Sequence, residues 1–285
     1  MTPSELSFAA AGLLLAGIVK GVTGIGYATC AMPFLVIAVG LEAAMAIVVA
    51  PAIASNAAVI ACAGGITRTV ARFYRFYLAI LPGIVCGTLL LRALDPRLAT
   101  QGLAGLTICY VALAIARPSL ALPARLEQPL ALPAGFLNGM LTSVTGSQIF
   151  PLVPYMMALR LEPQAQVQAI NLAVTIASLA LGAALLATGI MTPALLVVSA
   201  AGVVPAMLGV AGGSLLRDRL PIEAMRRLTL AVLLLIGVGL LARDAIEQAI
   251  GLACPPVAHA CLGAPPPPQP RAPARFQSLP VTTEG

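Results

Sequence analysis

Long apolar runs with short polar interruptions cover most of the chain. They fall at about 6–20, 27–40, 43–66, 77–91 and 98–116, and again at about 130–141, 148–159, 164–188, 193–216 and 228–242. These runs do not alternate apolar and polar positions in short segments as a transmembrane barrel does, so they predict helices. Between Glu162 and Arg217 there are 54 residues without Asp, Glu, Lys or Arg, room for two membrane crossings at roughly 20 residues each. Another 32 such residues separate Glu127 from Arg160. Charged residues make up 9% of the chain and apolar ones 60%, with a mean hydropathy of +0.99. A water-facing surface needs about a quarter of the residues charged. The pattern therefore predicts an all-α integral membrane protein.

The series is written twice. KGVTGIGYATCAMPFLVIAVGLE stands near the start and NGMLTSVTGSQIFPLVPYMMALRLE past the middle. Gly26 precedes Leu41-Glu42 by fifteen residues, as Gly146 precedes Leu161-Glu162. Leu90-Leu91-Arg92 and Leu215-Leu216-Arg217 each close the fourth segment of their half. The expected layout is an N-terminal membrane repeat at 1–117, a connector at 118–129, a C-terminal membrane repeat at 130–250 and a Pro-rich tail at 251–285. The tail shows no apolar period and cannot bury enough surface to offset its ordering entropy, so it is expected to be disordered.

The first two segments of each half fall short of the roughly 17–25 residues a crossing needs. Each pair is either one long broken crossing or a hairpin that enters and leaves by the same side. Hairpins place Arg68, Arg72, Arg75, Arg117, Arg125, Arg160, Arg217, Arg219, Arg226 and Arg227 on one side, against Arg92, Arg97 and Arg243 on the other. Single crossings split these arginines evenly and orient nothing. The positive-inside rule favours the hairpins. Three crossings plus a hairpin per half then give an inverted repeat with both termini facing away from the cytoplasm. No Lys or Arg precedes the first apolar run, so a cleaved signal peptide is not expected.

Candidate chemistry lies at the two breaks. At the first, Lys20, Gly21, Thr23, Gly24 and Gly26 bring backbone amides, a hydroxyl and the only lysine of the chain together. Amides freed at a break and at the start of the next helix form an anion site. A lysine deep in a bilayer costs roughly 2.5–3.5 kcal/mol on insertion scales and calls for a partner, although at a helix end it can snorkel to the interface. At the second break Asn138, Thr142, Ser143, Thr145, Gly146 and Gln148 supply uncharged donors. Those residue types suit an oxyanion, and they equally suit helix packing in membranes. Broken apolar segments at matching places in two halves point to a transporter's binding site. Glu42 and Glu162 match in the repeat as helix-start residues; Gln168 with Asn171, and Ser55 with Asn56, are polar positions in the segments that follow.

No catalytic constellation is present: the single His259 lies in the tail, and no G-x-S-x-G, phosphate loop or metal cluster occurs, so neither an enzyme nor a cofactor or metal site is expected. Four of the six cysteines fall in apolar segments, where a thiol acts as a small hydrophobe. The net charge of +6 comes with few aromatics and no continuous basic stripe, which argues against nucleic acid.

At the glycine-rich breaks the chain resembles the sulfite exporter TauE/SafE family, also called the 4-toluene sulfonate uptake permease family. The resemblance spans roughly residues 5–245 and rests on GVTGIGYATCAMP, NGMLTSVTGSQIFPLVPYMMALRLEP and QAINLAVTIAS. It implies a bacterial inner-membrane carrier of about eight spans that moves sulfite, sulfonates or other organic anions, with a proton or sodium ion as coupling ion. The expected function is thus a secondary transporter of small anions. Two alternatives stay open: a cation or metal carrier using Glu42 and Glu162, and a non-transporting membrane assembly subunit with the tail as its handle.

Overall fold

A computed structural model describes residues 2–116 and 121–217, together with Leu234 and Val238. Among the described residues all regular structure is helical: α1 (Pro3–Thr23), α2 (Tyr27–Val39), α3 (Leu41–Ala63), α4 (Ile66–Ala93), α5 (Pro96–Ala116), α6 (Ala124–Thr145), α7 (Leu152–Ala158), α8 (Pro163–Ala187) and α9 (Pro193–Arg217). Among the described residues, five segments are long and apolar enough to cross a membrane: Pro3–Thr23, Leu41–Cys62, Ile66–Ala93, Pro163–Ala187 and Pro193–Arg217. On α4, Tyr74, Leu78, Leu81, Val85 and Leu89 are exposed at helical spacing, a stripe a water-soluble monomer would cover and a bilayer would not.

Local chemistry sets the starts and stops. Thr2 and Glu5 form a capping box at the head of α1, with Pro3 in the first helical position. Several of the expected segments are longer or shorter than the hydropathy pattern implies. Helix α1 has 21 residues and α6 has 22, so the outgoing arm of each pair is long enough to cross. The return arms are short, 13 residues in α2 and only 7 in α7. Helix α4 begins at Ile66 instead of 77, because Arg68, Arg72 and Arg75 sit on the solvated side of its first turns. Helix α6 begins at Ala124, inside the expected connector. The bidentate Arg72–Glu127 pair and the bond from Tyr155 to the Glu127 carbonyl hold that turn helical.

Both broken pairs double back. The rings of Phe8 and Phe34 lie 6.2 Å apart; an unbroken helix would separate these positions by about 39 Å at 1.5 Å per residue. In the second pair the Leu122 amide donates to the Ala158 carbonyl at 2.8 Å, which brings the end of α7 beside the start of α6.

The frame around the hairpins is built from four glycine pairs at i, i+4: Gly17/Gly21 on α1, Gly83/Gly87 on α4, Gly135/Gly139 on α6 and Gly209/Gly213 on α9. A Cβ on Gly17 would meet the Ala206 carbonyl, and one on Gly21 the Val210 carbonyl. On α6, a Cβ at Gly135 would meet the Phe76 carbonyl and one at Gly139 the Ile80 carbonyl. Numbers rise together along both contacts, so α1 runs parallel to α9 and α4 parallel to α6. Such small-residue stripes let backbones approach where no hydrophobic effect drives association. Helices α3 and α8 pack antiparallel. Val49 lies beside Gly182, while Asn56, about two turns further along α3, shares a cavity with Asn171, well back along α8. Within the α1 frame the residue before the second glycine is Lys20; within the α6 frame it is Asn138.

Filling one of these frames should cost stability at once. Gly83→Ala places a methyl against the Phe136 carbonyl, and overpacking of about 1–3 kcal/mol should lower the melting temperature in detergent by ~3–10 °C. Gly105→Ala on α5, with open space around the new methyl, should leave it unchanged.

Candidate functional site

Helix α1 ends where the Gly24 amide donates to the Lys20 carbonyl, with Gly24 at φ +78° and Gly26 at φ +85°. A side chain is strained in that left-handed region, and glycine is not. The Thr23 hydroxyl donates to the carbonyls of Val19 at 2.8 Å and Ile25 at 2.9 Å, closing the turn. Helix α2 then starts at Tyr27 with Gly26 as its N-cap and no side chain capping its first amides. A helix leaves those first N–H groups without internal partners. Asn171 on α8 donates to the Gly24 carbonyl at 2.9 Å and so clamps this tip from across the bundle.

The second tip mirrors the first with different chemistry. Gly146 ends α6 at φ +69°, covered by Met32 of α2 and Met45 of α3. The chain then runs as an irregular stretch through a cis Phe150–Pro151 bond to α7. Asn138 donates to the Gln148 and Phe150 carbonyls, at 3.1 and 3.3 Å, and Gln148 donates to Ser178 on α8 at 3.0 Å.

The tips meet. Thr29 in the first turn of α2 and Ser147 of the second break share a hydrogen bond of 3.3 Å between their hydroxyls. Beside this contact lies a cavity lined by Gly26, Tyr27, Ala28, Thr29, Asn56, Gln148 and Asn171, with an apolar wall from Ile149 and Ile170. Its volume is about 20 Å³, room for about one water molecule. Lys20 is 1% exposed and its Nζ donates to Asn56 Oδ1. Asn56 Nδ2 is buried without a partner. Among the described residues no carboxylate reaches Lys20; the one ion pair there, Arg72–Glu127, lies elsewhere on the surface of the bundle. The cavity is therefore rich in donors, with the Lys20 amine behind it and no carboxylate beside it.

The structure divides the expected site residues. Gly26 and Gln148 line the cavity, and Lys20 reaches it through Asn56. Thr23, Gly24 and Gly146 shape the turns. Gly21 packs against α9. The hydroxyls of Thr142, Ser143 and Thr145 donate to the carbonyls of Asn138, Ile84 and Leu141, so they serve helix ends and helix packing rather than the cavity. Asn138 binds the second tip. Glu42 and Glu162 are both exposed. Thr29 was not singled out by sequence; its only signal is a hydroxyl three residues past Gly26 in an apolar run. Gln168 is buried with both amide atoms unpartnered, and nothing in the structure explains it.

Compared with known families, residues 8–240 match the model described as sulfite exporter TauE/SafE. No curated protein and no solved structure gives a significant match.

The meeting of the tips can be checked chemically. In a chain with its native cysteines replaced and a protease site near residue 120, Thr29→Cys with Ser147→Cys should cross-link on mild oxidation, since hydroxyls 3.3 Å apart place the pair within disulfide reach. The two protease fragments should then run together on a gel until reduced.

Proposed function

The chain belongs to the sulfite exporter TauE/SafE family of membrane transporters, and we propose that it is a secondary carrier of small anions such as sulfite or sulfonates, working by alternating access at the meeting point of the two hairpin tips. The observation that carries this reading is a cavity rich in donors with no carboxylate among its lining residues. The first turn of α2 with its uncapped amides, Thr29 included, and Asn56 with its unpartnered Nδ2 line one small space, and the Lys20 amine stands behind Asn56. Such a set would bind an oxyanion through fixed dipoles and one charge. A cation would find no carboxylate there.

In this reading the repeats are inverted. Antiparallel packing of α3 on α8, with α1 along α9 and α4 along α6, is the arrangement a two-fold axis in the membrane plane would generate. A repeat axis along the membrane normal would leave α3 and α8 parallel. The proposed layout keeps a first repeat at 1–117, a connector at 118–129 and a second repeat at 130–250, with about eight spans in a bacterial inner membrane and both termini outside. The expected tail, 251–285, and the arginines beyond 217 lie outside the described residues. A 20 Å³ cavity is too small for a sulfur oxyanion, so loading would require the tips to part. Rocking of one repeat against the other supplies that motion in carriers of this build.

The test is flux. In proteoliposomes, Lys20→Ala should lower sulfite or sulfonate uptake at least about tenfold, the equivalent of ~1.4 kcal/mol of lost anion stabilisation, while the protein stays monodisperse in detergent. Asn56→Leu should act in the same direction. Undiminished flux in both would remove this cavity from the pathway, and flux of cations but not anions would reverse the assignment.

A further inference from the structure

Resting on the anion-carrier reading, we infer that Lys20 is the coupling residue, and that it takes up one proton with each anion bound and gives it back when the anion leaves. The observation is a mismatch between charge and surroundings. Lys20 is 1% exposed, and its one hydrogen-bond partner is the neutral Asn56 amide. A buried ammonium without a counter-ion is costly, and such a group sheds its proton instead. The counter-ion it lacks in the folded chain is what the cavity on the other side of Asn56 is built to hold. Asn56 presents Oδ1 to Lys20 and leaves Nδ2 unpartnered, so one amide links the amine to the bound anion.

The surroundings leave Lys20 as the group that changes charge. On α2 the titratable side chains near this depth are Tyr27 and Cys30, both buried and both neutral when protonated. Helix α9 contributes Gly209, Val210 and Gly213 at the contact with α1. Helix α3 contributes Ser55 and Asn56, and α8 contributes Asn171 through its bond to Gly24; none of these titrates. In the empty site the Lys20 nitrogen holds its lone pair. When an anion enters, that lone pair takes a proton from water, and ammonium and anion neutralise each other. When the anion leaves, the proton leaves by the same step reversed. Binding of the two is reciprocal: the proton strengthens anion binding by the factor by which the anion strengthens proton binding. A monoanion would thus cross with no net charge.

The experiment uses the full chain in detergent and methanesulfonate as probe, because its charge stays at minus one throughout the range tested. Calorimetry in two buffers of different ionisation enthalpy should show close to one proton taken up per methanesulfonate bound. Affinity should fall about tenfold per pH unit once the empty-site Lys20 is neutral and should level off at lower pH. Lys20→Arg, which keeps its charge at all pH values, should bind with a flat pH profile and no proton uptake. Wild-type binding without proton uptake and with the same affinity at every pH would overturn the coupling role and leave the anion-carrier reading standing. A proton-linked profile that persists in Lys20→Arg would also overturn it, by moving the proton elsewhere. No binding of methanesulfonate at any pH would overturn both.

Discussion

A helix interrupted inside hydrocarbon exposes backbone groups that no lipid can satisfy. Each break in this chain is tolerable only because the rest of the protein supplies the missing partners. Asn171 reaches the Gly24 carbonyl from α8, and Asn138 reaches the Gln148 and Phe150 carbonyls from α6. Thr23 and Thr145 close their own turns. These bonds consume most of the acceptors at the tips. What stays free includes donors at the start of α2 and on Asn56, and the side-chain oxygen of Asn138. The donor-rich lining of the cavity is what remains after the breaks have been made safe.

The scaffold obeys a different rule. Lipid tails are as apolar as leucine, so helices gain little by hiding apolar surface from them, and contact depends on close approach and dispersion. The paired glycines on α1, α4, α6 and α9 allow that approach, carbonyl against Cα. Each contact joins the first helix of one half to the fourth helix of the other, so neither half packs as a free-standing unit. Rigid glycine-lined seams outside and hydrogen-bonded tips inside separate the part of the molecule that holds shape from the part where a solute would be handled.

Much of this was legible in the chain. Helical class follows from hydropathy alone, and the two breaks follow from their matched glycines. Hairpins were favoured by the arginine count, and the fold-back of Phe34 onto Phe8 agrees with them. The lengths of α1 and α6 were not legible, because apolar runs stop at Lys20 and begin after Pro129 while the helices continue through polar residues held by tertiary bonds. The glycine pairs stood in plain view as G-x-x-x-G, a spacing easily passed over in a chain with 26 glycines. The backbone partners of Thr142, Ser143 and Thr145 were not legible for a physical reason: in membranes the same groups that could bind a ligand also bond helix backbones, and sequence does not say which carbonyl lies within reach.

Lys20 and Asn138 hold the same place in two otherwise matching glycine frames, and only one of them can carry charge. Backbone near-symmetry would make the two faces of such a molecule equivalent and its two orientations equally populated. An amine in one frame and an amide in the other breaks that degeneracy, because only one of the two tips carries a group that can hold a proton. The difference between the two halves is then written in one side chain and not in the course of the chain.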